Sequence, residues 1–186
     1  MDYQLHHHIL VWMEEAAEAL RESHSRKLQV DEKKDASDLV TEMDKATEKF
    51  FTEKIRQFYP EHRIIGEEGI SGPVNDTNGM IWVIDPIDGT LNFVKQKNNF
   101  GIMIGLFNNG KPVAGYIYDV MQYDLYYGIV GEGMYLNNKP LKPLPVGPLN
   151  DSLIMGNVGM FSRNQNNCQS LLATVLGARA HGSAAL

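Results

Sequence analysis

The stretch that decides the fold and chemistry of this chain is Trp82-Val-Ile-Asp-Pro-Ile-Asp-Gly-Thr-Leu-Asn-Phe93. Its apolar beginning predicts a strand, which delivers two carboxylates, Asp85 and Asp88, three positions apart. A turn at Gly89-Thr90 and the start of a helix follow. Carboxylates at a strand end suit a hard divalent cation, and the free N–H groups at a helix start suit a phosphate. The stretch therefore predicts a magnesium-dependent site for a phosphate ester.

Two further segments carry acidic residues in similar settings. In Arg63-Ile-Ile-Gly-Glu-Glu-Gly69, a short apolar strand ends in the adjacent glutamates Glu67 and Glu68. Adjacent residues of an extended segment point to opposite sides, so only one of these glutamates can reach a cation held by the first stretch. The other segment, Asp38-Leu-Val-Thr-Glu-Met-Asp44, leads into an amphipathic helix, and its threonine and last aspartate have the spacing of a capping box.

The remaining chain alternates helical and strand patterns. Apolar residues at spacings of three and four predict a first helix from Tyr3 to His24, and the second helix runs from Thr41 until Pro60 closes it. A third helix is predicted over Gln165–Leu176, after a proline-rich loop at Lys139–Leu149. Short apolar runs between turn residues predict strands at Ile64–Ile65, Ile81–Ile84, Gly101–Phe107, Pro112–Tyr118, Leu125–Val130, Met134–Leu136, Ser152–Asn157 and Ala178–His181. Helices flanking a largely antiparallel sheet indicate an α+β or layered αβα fold.

Composition narrows the class of protein. A chain of 186 residues with 43% hydrophobic and 22% charged residues is typical of one globular domain. The net charge of −6 argues against nucleic acid as a partner, and an acidic site for an anionic substrate requires a cation. No apolar run is long enough to span a membrane, and the N-terminus has no signal-peptide pattern. The single cysteine, Cys168, excludes an intramolecular disulfide and favours a reducing, cytoplasmic location.

The three acidic segments, in this order and at these distances, resemble the inositol monophosphatase family. The run Asp85–Phe93 is the most specific part, and the similarity extends to His181-Gly-Ser-Ala-Ala185. The resemblance implies a layered αβαβα sandwich of the inositol monophosphatase and fructose-bisphosphatase type, with residues 1–186 forming a single phosphatase domain. Because the family continues beyond this point, we expect a C-terminally incomplete fold that holds the first helix pair, the main sheet and the beginning of the second half.

The resemblance also implies a set of site residues. Metal ligands would be Glu67, Asp85, the Ile87 carbonyl and Asp88, with Mg²⁺ as the cofactor. Catalysis would depend on Asp44, Thr90 and Glu67, because the family's matching aspartate and threonine orient a metal-activated water. Substrate contacts are expected from Asp88, Gly89, Thr90, Gly182, Ser183 and Ala184.

The predicted function is hydrolysis of inositol monophosphate or a similar small phosphate ester, in a possible homodimer. The alternatives are a phosphatase for fructose-1,6-bisphosphate, NADP or 3′-phosphoadenosine phosphate, and an inactive truncated family member. The family carries a Trp-Asp pair whose aspartate completes a second metal site. Neither tryptophan here precedes an aspartate, since Met13 follows Trp12 and Val83 follows Trp82. We therefore expect weak activity or none from the 186 residues alone.

Overall fold

The computed structural model describes residues 1–25, 28–32, 39–156 and 158–180. The helices in these ranges are α1 (Tyr3–Ser23), α2 (Glu42–Phe58), α3 (Thr90–Lys95), α4 (Val158–Ser162) and α5 (Gln169–Leu172). The strands are β1 (Val30–Glu32), β2 (Leu39–Thr41), β3 (Arg63–Gly66), β4 (Met80–Asp88), β5 (Gly101–Asn108), β6 (Lys111–Asp119), β7 (Asp124–Ile129), β8 (Gly133–Leu136), β9 (Lys139–Pro140), β10 (Leu153–Met155) and β11 (Gly177–Arg179). The long elements match the predicted pattern closely.

A seven-stranded sheet in the order β3-β4-β5-β6-β7-β8-β9 forms the centre of the molecule. Its first pair, β3 with β4, is parallel, and every later pair is antiparallel. The antiparallel meander follows from its turns. Asn109 and Gly110, which join β5 to β6, both have positive φ angles, the conformation that tight hairpins favour. The predicted, largely antiparallel sheet is thereby confirmed.

Helices α1 and α2 pack on one face of this sheet. The start of α2 is set by a capping box, in which Thr41 accepts backbone N–H groups and Asp44 accepts the Thr41 N–H. Between the helices and the sheet lies the core, with Trp12 of α1 stacked on Trp82 of β4. Eight of the largest fully buried side chains of this core are Trp82, Tyr116, Phe51, Phe93, Phe100, Ile9, Met13 and Leu20.

Two predicted elements differ from the structure. Strand β4 continues to Asp88 instead of ending at Ile84, because its ladder with β5 resumes after an irregularity. The helix predicted over Gln165–Leu176 is wrong: a short 3-10 turn precedes α5, which has only four residues. Asn166 and Asn167 have φ angles of 52° and 58°, and this left-handed backbone cannot continue a right-handed helix.

Candidate active site

A bulge in β4 places the two aspartates of the first acidic stretch. Asp85 pairs with Met103 and Asp88 pairs with Gly101, so three steps along β4 oppose two steps along β5. In a regular strand, residues three positions apart point to opposite faces of the sheet. One extra residue restores them to the same side, and Pro86 lies within this irregular part, where a missing N–H is tolerated. The bulge thus brings the two carboxylates together.

Glu67 joins the aspartates from the neighbouring strand. It follows the end of β3, and its N–H donates to the Ile84 carbonyl of β4 at 3.1 Å. Its carboxyl group is hydrogen-bonded to that of Asp85. Burial, the Glu67 carboxyl group and, to a smaller extent, Asp88 raise the pKa of Asp85 to about 8. The site therefore gathers acidic groups that repel one another when they are ionised.

One oxygen of this group suits a cation. Among the described residues, Oδ1 of Asp85 is buried and accepts no hydrogen bond. A buried carboxylate oxygen without a donor is costly, and a divalent cation would satisfy it. Over the same part of the chain, no three acidic, histidine or cysteine side chains lie close enough to form a complete metal cage. Mg²⁺ does not require one, because it commonly binds through one or two carboxylates and keeps several waters.

Asp44 and Thr90 form the second feature of the site. The Thr90 Oγ lies 3.1 Å from Oδ1 of Asp44 and 3.1 Å from the Ile87 carbonyl oxygen, so its single hydrogen can donate to either. The other Asp44 oxygen accepts the Thr41 N–H at 2.7 Å and the Thr41 hydroxyl at 2.6 Å. Burial raises the pKa of Asp44, the hydrogen bonds oppose that rise, and the charge of Glu68 adds to it. Thr90 is thereby held between a buried aspartate and the bulge.

Gly89 connects the bulge to α3. Its backbone is left-handed, with φ 87° and ψ 43°, which glycine adopts without strain. This turn lets α3 begin at Thr90 immediately after the strand. The first N–H groups of a helix have no acceptor within the helix, so they are suited to phosphoryl oxygens. Because α3 has only six residues, its helix dipole is small. The loop is suited to an anion mainly because of these N–H groups.

Sequence reasoning missed one residue of this neighbourhood, Glu48. It is fully buried on α2, and its carboxylate accepts the N–H groups of Glu68 and Ile70. Its position one turn after Asp44, on the same helical face, was the available signal. The predicted substrate residues Gly182, Ser183 and Ala184 lie outside the described residues, and their role stays a prediction.

Comparisons with known proteins identify the family. A sequence profile of the inositol monophosphatase family matches residues 6–186. Inositol-1-monophosphatase of Bacillus subtilis (strain 168) is 41% identical over 179 residues, which are 94% of this chain and 68% of that protein. The crystal structure of inositol monophosphatase II from Staphylococcus aureus MSSA476 superposes with a TM-score of 0.85 at 39% identity, covering 98% of this chain and 68% of that one.

A third relative was solved as a complex. It is an IMPase/NADP phosphatase in complex with Mg²⁺ and phosphate, with a TM-score of 0.85, 29% identity, and coverage of 97% of this chain and 67% of that one. A mixed sheet with a bulged acidic strand thus defines an α+β fold of the phosphatase type. The chain belongs to the inositol monophosphatase family. It spans about two thirds of the length of each of these three relatives.

The structure also bears on other sequence predictions. No helix within the described ranges has the length and apolar character needed to cross a membrane. Two half-buried histidines near the N-terminus are hydrogen-bonded to tyrosines: His6 to Tyr116 at 2.9 Å and His8 to Tyr59 at 2.8 Å. Cys168 is a free, buried thiol.

Proposed function

We propose that this chain carries the phosphate-ester site of a Mg²⁺-dependent phosphomonoesterase, with inositol monophosphate or a similar small ester as substrate. The observation that supports it most is the unpartnered, buried Oδ1 of Asp85, whose carboxyl group interacts with those of Glu67 and Asp88. Carboxylates this close are poorly suited to bind an anionic ester by themselves. A divalent cation reverses the sign of the local field, so that the same acidic group attracts phosphate.

The ligands of one cation would be Glu67, Asp85 and the Ile87 carbonyl, and Asp85 and Asp88 would hold a second. When bound, Mg²⁺ would supply a Lewis acid that lowers the pKa of a water and stabilises charge on the leaving oxygen. The orphaned oxygen, the all-oxygen donor set and the acidic surroundings fit this ion. In the relative solved with Mg²⁺ and phosphate, the bound groups are of the kinds proposed here.

The remaining site residues would orient the nucleophile and the ester. With its hydrogen donated to Oδ1 of Asp44, the Thr90 hydroxyl presents its lone pairs to a water molecule. Asp44 holds that hydrogen in place, and its own second oxygen is fixed by Thr41. The N–H groups of Gly89 and Thr90 would donate hydrogen bonds to the phosphoryl oxygens. Substrate hydroxyl groups would contact Gly182, Ser183 and Ala184, which the resemblance places on the alcohol side.

The identity of the ester is the finer part of the proposal. Relatives are named for inositol monophosphate, and one structural neighbour for both inositol monophosphate and NADP phosphatase activity. A homodimer in the cytoplasm is the proposed setting, based on the resemblance and on the free, buried thiol of Cys168. Light scattering of the purified chain would test the dimer.

A substrate panel tests the proposed function. Purified chain is assayed with excess Mg²⁺ on inositol 1-phosphate, fructose-1,6-bisphosphate, NADP and 3′-phosphoadenosine phosphate. We expect phosphate release that requires Mg²⁺, that disappears in Asp85→Asn and that is fastest with inositol 1-phosphate. A faster rate with NADP would reassign the substrate within the same chemistry. Phosphate release that persists unchanged in EDTA would contradict the metal-dependent reaction.

A further inference from the structure

A polar stripe on α2 faces the segments that carry the acidic groups. Asp44, Glu48 and Thr52 are spaced four residues apart, so they lie on one face of the helix. All three are buried, together with one further polar residue of α2, Thr47. Asp44 contacts Thr90, and the Thr52 hydroxyl lies 3.0 Å from that of Ser71. Each member of the stripe is therefore bonded to a segment at or near the site.

Glu48 makes the central contacts of the stripe. Its Oε2 accepts the Glu68 N–H at 2.6 Å, and its Oε1 accepts the Ile70 N–H at 2.8 Å. Both carboxylate oxygens are thus used, and a fully buried carboxylate requires such donors. The two N–H groups belong to the turn that begins at Gly66, where β3 ends. A side chain of another segment therefore sets the path of this turn.

Gly66 is shaped to this contact. A Cβ atom at that position would overlap the Glu48 carboxylate. The φ angle of Gly66 lies outside the left-handed region, so the glycine is needed for space and not for its backbone conformation. The Glu48 carboxylate lies directly against the main chain at the end of β3, immediately before Glu67. Together these contacts leave the turn little freedom.

We propose that Glu48 is a positioning residue for the metal site, holding the 66–70 turn so that the Glu67 carboxyl group faces Asp85. Glu48 would not contact the cation. It acts by fixing the backbone on both sides of Glu67: Gly66 packs against its carboxylate, and Glu68 donates to it. The inference rests on the proposed metal-dependent function. It adds a residue outside the predicted ligand set and gives the buried acid of α2 a role.

Two variants disturb the contact between the Glu48 carboxylate and the 66–70 turn, one from each side. Glu48→Gln keeps the shape of the side chain but can accept only one of the two N–H groups, because its amide nitrogen is a donor. Gly66→Ala keeps the carboxylate but displaces it from the turn. The matched controls are Glu53→Gln, an exposed glutamate on the same helix, and Gly115→Ala, where a Cβ meets no atom within 4 Å.

Metal binding, measured directly, is the deciding experiment. Mn²⁺ is titrated into the purified 186-residue chain and followed by the electron paramagnetic resonance signal of the free ion. Thermal melting in EDTA is recorded in parallel to measure any general loss of stability. We expect Glu48→Gln and Gly66→Ala to bind Mn²⁺ about 10- to 100-fold more weakly, the range for outer-shell residues of metal sites. Both controls should bind within about twofold of wild type.

The possible results separate the two proposals. Wild-type binding together with unchanged binding by Glu48→Gln and Gly66→Ala would overturn the positioning role alone. No Mn²⁺ binding by wild type would overturn the proposed metal site and this inference with it. If both variants are already unfolded in EDTA at 25 °C, Glu48 has a purely structural role and the inference is wrong. If only one of the two variants folds, its Mn²⁺ affinity decides whether Glu48 has the positioning role.

Discussion

The two acidic pairs, which lie at the ends of neighbouring strands, are held by different means. Asp85 and Asp88 belong to a strand with neighbours on both sides, and a bulge in its ladder turns them to one side. Glu67 and Glu68 follow the edge strand β3, and their turn is bonded to Glu48, a side chain of α2. The aspartates are therefore placed by the register of strand pairing, and the glutamates by a contact with a helix side chain. The difference indicates where the site is rigid and where it can be disturbed from a distance.

The largest expected effect concerns the strand-held pair. Asp85→Asn should abolish Mg²⁺-dependent phosphate release, lowering the rate by about a thousandfold or more, because it removes the charge at the centre of the acidic group. Steady-state phosphate release from inositol 1-phosphate, measured over a range of Mg²⁺ concentrations, tests this. A rate within about tenfold of wild type at saturating Mg²⁺ would show that the strand-held pair is not the catalytic centre.

A Thr90 variant tests whether the segment that follows β4 also orients the nucleophile. Thr90→Ala removes the hydroxyl that bridges Asp44 and the Ile87 carbonyl, and turnover should fall about a hundredfold, as for a lost general-acid or general-base partner. Mg²⁺ affinity should stay within about twofold. Thr90→Ser, which keeps the hydroxyl, serves as the control and should retain most activity. A loss of Mg²⁺ affinity as large as the loss of turnover would assign Thr90 to metal binding instead.

Glu67 and Glu68 can be compared directly, because replacing either one by glutamine removes the same charge. Glu67→Gln should weaken Mn²⁺ binding about 10- to 100-fold, because its carboxyl group lies against Asp85. Glu68→Gln should weaken binding about threefold or less, since the position contributes its N–H to Glu48, and a glutamine retains that N–H. Calorimetric titration of both variants measures the difference. Equal losses in the two variants would mean that both glutamates reach the cation.

The smallest expected effect is on stability without metal. Because the pKa of Asp85 is raised to about 8 in the folded chain, above its ordinary value of 3.8, the folded state holds its proton more tightly than the unfolded chain does. In EDTA, the free energy of unfolding should therefore fall as pH rises from about 4 to about 8. Asp85→Asn, which cannot ionise, should melt about 2–6 °C above wild type at pH 8. Excess Mg²⁺ should reverse this order by stabilising only the wild type.

The contradicting result for this last prediction is a lower melting temperature of Asp85→Asn in EDTA at pH 8. Such a result would mean that the charged Asp85 is already well compensated by protein groups. Repeating the measurement at pH 5, where wild type is largely protonated at this position, gives the internal control. The two proteins should then melt within about 2 °C of each other.

Much of the fold followed from short-range patterns in the sequence. The periodicity of α1 and α2, the capping box at Thr41 and the hairpin turn at Asn109 each express local preferences of a few neighbouring residues. Where a local pattern was weak, the prediction failed. The helix expected over Gln165–Leu176 is interrupted by left-handed asparagines, and that segment buries few side chains that could offset the interruption.

For the candidate site, residue types and their order were enough to predict the residues involved. The motif at Asp85–Phe93 and the pair Glu67-Glu68 predict an acidic, phosphate-directed centre. How these groups meet depends on the packing of distant parts of the chain. The bulge in β4 depends on pairing with β5, and the hold of Glu48 on the 66–70 turn joins residues about twenty positions apart. Neither strand register nor such a contact can be derived from local preference, since both depend on which surfaces pack together.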